Sequence, residues 1–436
     1  GMNQQVGEKF AAVYFIAADV LMHYFLNQIL QIGVNVTFRH LFALLITASG
    51  MVYFLIHPNI SRGIVAVKSV FVVSIPTLVM LTSSLFIWCA ERTDFDLISR
   101  GLSYYFLFMN HISAALAGVV MLYVFGEKGL WYHLVSILIA NLMMIVTVML
   151  QHGVGVYLNE LFVLVKTFAG ETGPVIMEAE IHELAFCTGV FLIFMLLTFR
   201  KKPLFFILLG ITGFCFISAF KRIAIFGIAV AVAAGWLLML LSQKGKAKTV
   251  SRIITWTLLG AIVLLLGYIW AVKLGVFQMM EEAGLDTSGR AGIYQKIDGY
   301  YEFSPMFIGQ GMGYLTYQLN ENISLGVGAI HNDFLQFYID LGFFGYLLWL
   351  LSITVLRTAY FGREGKSKNQ IVVFAVLLYM LIVSTTDNTM NYQLFNTAVA
   401  IVVMGYGFDD WVREDEQQRF GWISPENRQR EGPGLL

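Results

Sequence analysis

Uninterrupted apolar stretches of about 20 residues recur along almost the whole chain, which is the length a helix needs to cross the hydrocarbon core of a bilayer. No other feature narrows the fold as far, because in lipid every backbone polar group must be satisfied within its own segment. Twelve such runs occur, over 10–31, 40–57, 64–90, 103–125, 130–150, 182–199, 204–220, 223–241, 253–275, 333–356, 371–386 and 393–408. Only Lys221 and Arg222 separate the seventh run from the eighth, and one helix through both would carry about 38 residues across one bilayer, so two spans are expected there. The first run is long and lacks a small-residue cleavage site, so it reads as a retained span.

Composition closes off the alternatives. Charged residues make up 13% of the chain, about half the share of a soluble domain. At 58% apolar residues the chain has too much surface to bury for a disordered one. The 28 Lys plus Arg balance 28 Asp plus Glu, so there is no basic excess to suit a nucleic-acid partner. Cys89, Cys187 and Cys215 lie far apart, with no metal or disulfide spacing, and read as small buried apolar residues. The expected fold class is all-α: a polytopic integral membrane protein with about twelve transmembrane helices, for which the lipid bilayer is an obligatory partner.

Sidedness follows from Lys and Arg. With the N-terminus cytoplasmic, 19 of them fall in inside segments and 9 in outside ones. The acids divide the other way, 17 outside and 10 inside, with Asp19 inside the first span. The zero net charge therefore conceals an inside-positive protein with both termini cytoplasmic. Residues 1–408 read as a single transmembrane domain, and 409–436 as a polar, solvated cytoplasmic tail. Two extracytoplasmic segments are too long to be simple connections. Residues 151–181 hold an apolar stretch, Tyr157 to Phe168, suited to an interfacial helix, and 276–332 form the largest hydrophilic insertion. Long loops in compact proteins usually carry function, so the working surface is expected on the outer face.

Within the outward remainder, cations are the informative residues. Lys221 and Arg222 occupy a tight outer turn, where they either snorkel to headgroups or bind an anionic group. In Asp286-Thr287-Ser288-Gly289-Arg290, Thr287 or Ser288 can cap a helix that carries Arg290 in its first turn. Free N–H groups and a guanidinium would then converge as a phosphate site; pairing of Arg290 with Asp286 is the alternative. Gly309-Gln310-Gly311-Met312-Gly313 lacks a strand–helix context for a dinucleotide site, and reads as a bend that brings backbone close to another element. His331 stands where the loop enters the tenth span, with Asn332 or Asp333 as its cap, and a neutral imidazole can take a proton from a hydroxyl near pH 7.

Taken in order, these pieces resemble the bacterial O-antigen ligase/O-antigen polymerase family. The outward Arg222, the Ser288-Gly289-Arg290 step, the glycine bend and His331-Asn332-Asp333-Phe334-Leu335 followed by Asp340-Leu341-Gly342 carry the likeness over about 200–390. The resemblance implies a GT-C-like membrane glycosyltransferase of the inner membrane that uses no cofactor and no metal. It would move a glycan, with inversion, from an undecaprenyl-diphosphate-linked oligosaccharide to a hydroxyl of an acceptor glycan. Arg222 and Arg290, with Lys221 beside them, would hold the diphosphate, and His331 would activate the acceptor. Asn332 and Asp333, together with Glu178, Glu180, His182 and Glu183, are the acceptor or supporting candidates; Gly309, Gly311 and Gly313 form the bend. Between the two activities the compact, glycine-bent loop favours polymerisation of repeat units over ligation to lipid A–core, and a chain-length regulator protein is an admissible partner. Other signals compete: Asp94-Phe95-Asp96 as a DxD motif, Asp19 and His23 at i and i+4 as a transporter's intramembrane pair, and Asp387, Asn388, Asn391 and Tyr392 as a polar outer turn for capping or sugar contact. A flippase would show more intramembrane charge and an internal repeat.

Overall fold

A computed structural model describes residues 2–24, 35–90, 95–168, 174–178, 182–287, 289–323, 330–363 and 367–420, and all regular structure among them is helical. Every one of the twelve apolar runs underlies a helix. The first five are α1 (Met2–His23), α2 (Asn35–Ile56), α3 (Ile60–Cys89), α4 (Leu97–Phe125, with a π turn at Phe108–Ile112) and α5 (Lys128–His152). After α6 (Val154–Thr167) come α7 (His182–Leu197), α8 (Pro203–Ala219), α9 (Arg222–Gln243) and α10 (Ala247–Lys273). The large insertion contains α11 (Val276–Glu282), α12 (Arg290–Ile297) and α13 (Tyr314–Glu321). The chain ends with α14 (Asp333–Phe361), α15 (Ser367–Val383), α16 (Gln393–Gly405) and α17 (Phe408–Phe420).

Among the described residues, seven helices are long and apolar enough to cross a membrane: α3, α4, α5, α9, α10, α14 and Phe38–Ile56 within α2. Four apolar helices are shorter, namely Glu183–Leu197 within α7, α8, α15 and α16. Three of the short ones, α7, α15 and α16, are buried at nearly every position. A helix surrounded by others does not have to match the bilayer's thickness. The long helices instead turn apolar side chains outward, with Leu55, Trp256 and Leu264 each more than 70% exposed. Such an apolar exterior suits lipid rather than water.

The expected edges shift in informative places. Helix α1 begins at Met2 rather than residue 10, and the end of that run lies outside the described residues. The seventh and eighth runs are two helices, as expected, because Phe220 adopts a left-handed conformation (φ 31°) between them. Asp333 and Asp340, counted with the outer segments, lie inside α14 and are fully buried; Arg357, counted inside, is buried where it donates to the Val73 carbonyl at 2.6 Å. The tail does not leave the fold at residue 409. Phe408, Trp411 and Val412, spaced to share one helix face, bury against α3, and Asp409 accepts the Glu127 N–H at 3.2 Å. Cys187 and Cys215 are buried, whereas Cys89 is exposed. The apolar stretch after Gly153 forms α6, which exposes Phe162 and Val163 and buries Tyr157 and Leu164.

Packing brings distant segments to one end of the bundle. α9 lies along α15, α7 touches α9, α15 and α16, and α14 packs between α3 and α10. The start of α9, the start of α14 and the end of α15 thereby meet.

Candidate functional site

The turn between α15 and α16, residues 384–392, organises this end of the molecule. It is closed by a 2.6 Å bond between the Ser384 and Thr389 hydroxyls. The start of α14 is fastened to it: the Asp333 N–H donates to the Ser384 carbonyl at 3.2 Å, and the Asp333 carboxylate accepts the Met390 N–H at 2.8 Å and the Asn391 amide at 3.0 Å. Asn332 caps α14 by accepting the Leu335 N–H at 3.1 Å, and its amide reaches the hydroxyls of Tyr294 at 3.1 Å and Tyr268 at 3.3 Å. Asn332 and Asp333 are both fully buried. As arranged they hold α10, α12, α14 and the turn together, and neither offers an atom to an acceptor from solvent.

His331 does. Its backbone is left-handed (φ 50°), a conformation that histidine tolerates better than most residues. Its side chain remains 46% exposed beside the two buried ones, with Nδ1 4.0 Å from Asp387 Oδ1. Asp387 also accepts the Asn388 N–H at 2.8 Å and the Tyr392 hydroxyl at 3.1 Å. Burial works against its ionisation, yet the neighbouring His331 imidazole, the charge of Lys221 and the Asn388 N–H together hold the carboxyl below the ordinary carboxylate range. A carboxylate thus lies 4.0 Å from Nδ1, an arrangement that can orient an imidazole for proton transfer.

Two cationic segments flank that pair. Lys221 is the residue before the first turn of α9, Arg222 begins the helix and is exposed, and no side chain caps the helix start. Its free N–H groups add the positive end of the helix dipole to both charges. Arg290 begins α12, after Gly289 in a left-handed conformation (φ 76°), and Thr287 Oγ1 accepts the Ala291 N–H at 3.3 Å. Ser288, the other expected cap, lies outside the described residues. The Arg290 Nη2 donates to the Thr386 carbonyl at 3.2 Å, next to Asp387, and its Nε is buried without a hydrogen-bond partner.

The glycine bend is an approach of backbone to backbone. Helix α14 breaks at Gly342 (φ 72°), and the opened carbonyls of Ile339 and Asp340 receive the N–H groups of Gln310 at 3.1 Å and Gly311 at 2.7 Å. The Asp340 carboxylate accepts the N–H of Gly313 at 3.0 Å and of Leu315 at 3.1 Å. A Cβ on Gly309 would sit 2.4 Å from the Gly342 nitrogen, so a side chain there is excluded. The bend locks the insertion onto α14 and with it the spacing between α12 and His331.

Among the remaining candidates that the structure describes, partners lie elsewhere. Glu183 forms an ion pair with Arg39 of α2. Glu180 lies outside the described residues, as do the side chains of Glu178 and His182. Asp94 also lies outside them, while Asp96 caps α4 by accepting the Ser99 N–H at 2.8 Å. The pair Asp19 and His23 gains His133, whose Nδ1 is 2.7 Å from Asp19 Oδ2; among the described residues these three offer ligand atoms within 4.8 Å of one another, wholly inside the bundle. What sequence reading missed is Asp387 as the partner of His331. Its signal was present as Thr386-Asp387-Asn388-Thr389-Met390-Asn391-Tyr392, a polar run between two apolar ones.

Residues 203–350 match a family model described as O-antigen ligase, a stretch that runs from α8 into α14 and includes Lys221, Arg222, Arg290, the glycine bend and His331. No curated protein matches the chain.

Proposed function

From the match of residues 203–350 to a family model described as O-antigen ligase, we propose that this multi-pass membrane protein polymerises undecaprenyl-diphosphate-linked oligosaccharide repeat units into a surface polysaccharide. The observation that carries the reading is the convergence of the His331–Asp387 pair and the cations Lys221 and Arg290 on one turn. In the reaction, His331 Nε2 takes the proton of the acceptor hydroxyl while its oxygen attacks the anomeric carbon from the face opposite the diphosphate. The carbon–oxygen bond to the diphosphate breaks, and its electron pair goes to the leaving phosphate oxygen. Arg290, Arg222 and Lys221 take up that growing charge, and Asp387 stabilises the imidazolium. One bond forms and one breaks at the sugar, with inversion.

The membrane arrangement proposed with it has all twelve helices crossing an inner membrane in a GT-C-like architecture. Both termini are cytoplasmic and the 384–392 turn faces the extracytoplasmic side. The inside-positive distribution of Lys and Arg supports this orientation. Residues 1–408 then act as one membrane domain, and a chain-length regulator is the protein partner the reaction would accommodate. A second reading, transfer of finished glycan to lipid A–core, is favoured by the ligase description of the matching family model.

One assay separates these readings: purified full chain with its lipid-linked repeat unit, with and without a chelator. A ladder of longer lipid-linked glycans that persists with the chelator supports the proposal. Product formed only on addition of lipid A–core supports the ligase. Absence of covalent product together with carrier translocation in vesicles refutes both in favour of a transporter.

A further inference from the structure

A cavity of about 480 Å³ lies between the first turns of α4, the glycine bend, α13 and the 384–392 turn, where Asn388 and Tyr392, the neighbours of Asp387, line it. It falls within the ~300–1,000 Å³ range of small-ligand sites. Phe95, Phe106 and Tyr317 contribute rings to its walls, and Asn320, Gln336, Asn388 and Asn391 contribute carboxamides. Among the described lining residues Glu321 alone is charged, and none is Lys or Arg. The cavity therefore differs in chemistry from the cationic segments on the other side of the same turn.

Two details point to a ligand. Asn388 is 7% exposed and its Oδ1 is buried without a hydrogen-bond partner, an acceptor free to receive a hydroxyl. Tyr392, another wall residue, donates its hydroxyl to Asp387 Oδ1 at 3.1 Å, so the wall is continuous with the group that faces His331. Aromatic rings with carboxamides and no cation complement a molecule that has apolar C–H surfaces, many hydroxyls and no charge. A phosphorylated sugar would be desolvated here without a counter-charge, which is costly.

We infer that this cavity binds the terminal, uncharged saccharide of the acceptor and presents one of its hydroxyls to His331. The inference rests on the glycosyl-transfer reading above and adds the acceptor's chemical class and place. An acceptor site without cations separates the two substrates: the diphosphate goes to Lys221, Arg222 and Arg290, and the sugar to the cation-free side.

The test uses the full chain in detergent and two probes: repeat-unit oligosaccharide released from the producing cell's own surface polysaccharide, and delipidated, phosphorylated lipid A–core oligosaccharide. Saturation-transfer NMR reports binding without turnover. The repeat unit is expected to bind and the phosphorylated core to bind at least ~10-fold more weakly. Tyr317→Ala and Asn320→Ala, both on α13, are expected to raise the acceptor KM about 10-fold, with kcat and the donor KM within about twofold. Equal binding of the phosphorylated core, or variants that raise the donor KM instead, overturns the inference. Saccharide binding that the variants weaken, in a chain that forms no polymer, would sustain the cavity's role and reject the reaction. Polymerisation whose acceptor KM ignores both variants would do the reverse.

Discussion

Replacing Asp387 with Asn removes one negative charge while keeping the side chain's size, and it should slow transfer without weakening substrate binding. The magnitude follows from the 4.0 Å between His331 Nδ1 and Asp387 Oδ1. A unit pair at that distance attracts by about 1 kcal/mol in water and by about 4 kcal/mol at an effective dielectric of 20. His331 is half exposed, so solvent screening places the interaction toward the lower end, ~1–2 kcal/mol. The charge matters most once the imidazole has taken the acceptor's proton, so the loss appears in kcat as a fall of about 5- to 30-fold. Lys221, relieved of a neighbouring anion, keeps its attraction for diphosphate, and the donor KM should not rise. Steady-state polymerisation with separately varied donor and acceptor gives all three constants. A cycle with His331→Ala sharpens the test, because Asp387→Asn should cost nothing more where the imidazole is already gone. Wild-type kcat in Asp387→Asn, or an undiminished effect on the His331→Ala background, would refute the pairing as a catalytic device.

Three further outcomes are expected. Arg290→Gln, which removes a guanidinium from beside Thr386, should lower kcat/KM for the lipid-diphosphate donor about 100-fold or more, measured under single-turnover conditions; an effect confined to the acceptor KM would contradict the assignment. Gly311→Ala puts a Cβ 2.0 Å from Trp88 Nε1 at φ 93°, so unfolding in detergent should show a loss of ~1–3 kcal/mol. Gly292→Ala, with open space around it in α12, serves as the control that should not destabilise. Because the folded state holds the Asp387 carboxyl below its ordinary range, its contribution to stability is fully present above pH ~4 and is lost as pH falls through the lower folded value. Acid titration of stability should therefore be shallower in Asp387→Asn than in the wild type, and identical acid limbs would count against that contribution.

How much was legible in the sequence depended on whether a property is local. Hydropathy is summed residue by residue along the chain, so a helix could be placed at each of the twelve apolar runs, including the break at Lys221 and Arg222, although among the described residues seven are long and apolar enough to cross a membrane. The glycine bend could be read as a close backbone approach, because three glycines alternating over five residues have little other use. The cap on α14 was likewise foreseeable from Asn332 preceding an apolar run. The tail helix was missed although its signal was local: Phe408, Trp411 and Val412 share a helical face within a stretch that is polar on average.

The tertiary structure decided partners and exposure. His331, Asn332 and Asp333 are consecutive and all polar, yet only His331 faces outward, because Tyr268, Tyr294 and Asn391 come from three other elements to satisfy the other two. Asp387 stands 56 residues beyond His331, and only the packing of α14 against the α15–α16 turn makes it that residue's counter-charge. The same packing places α13 opposite Asn388 and leaves a cavity without Lys or Arg beside the cationic segments. The sequence by itself determined which segments must leave water and which polar residues interrupt them, since transfer from water is a property of each side chain alone. Which of those polar residues would meet depended on distances between helices, and no residue carries that distance in its own chemistry.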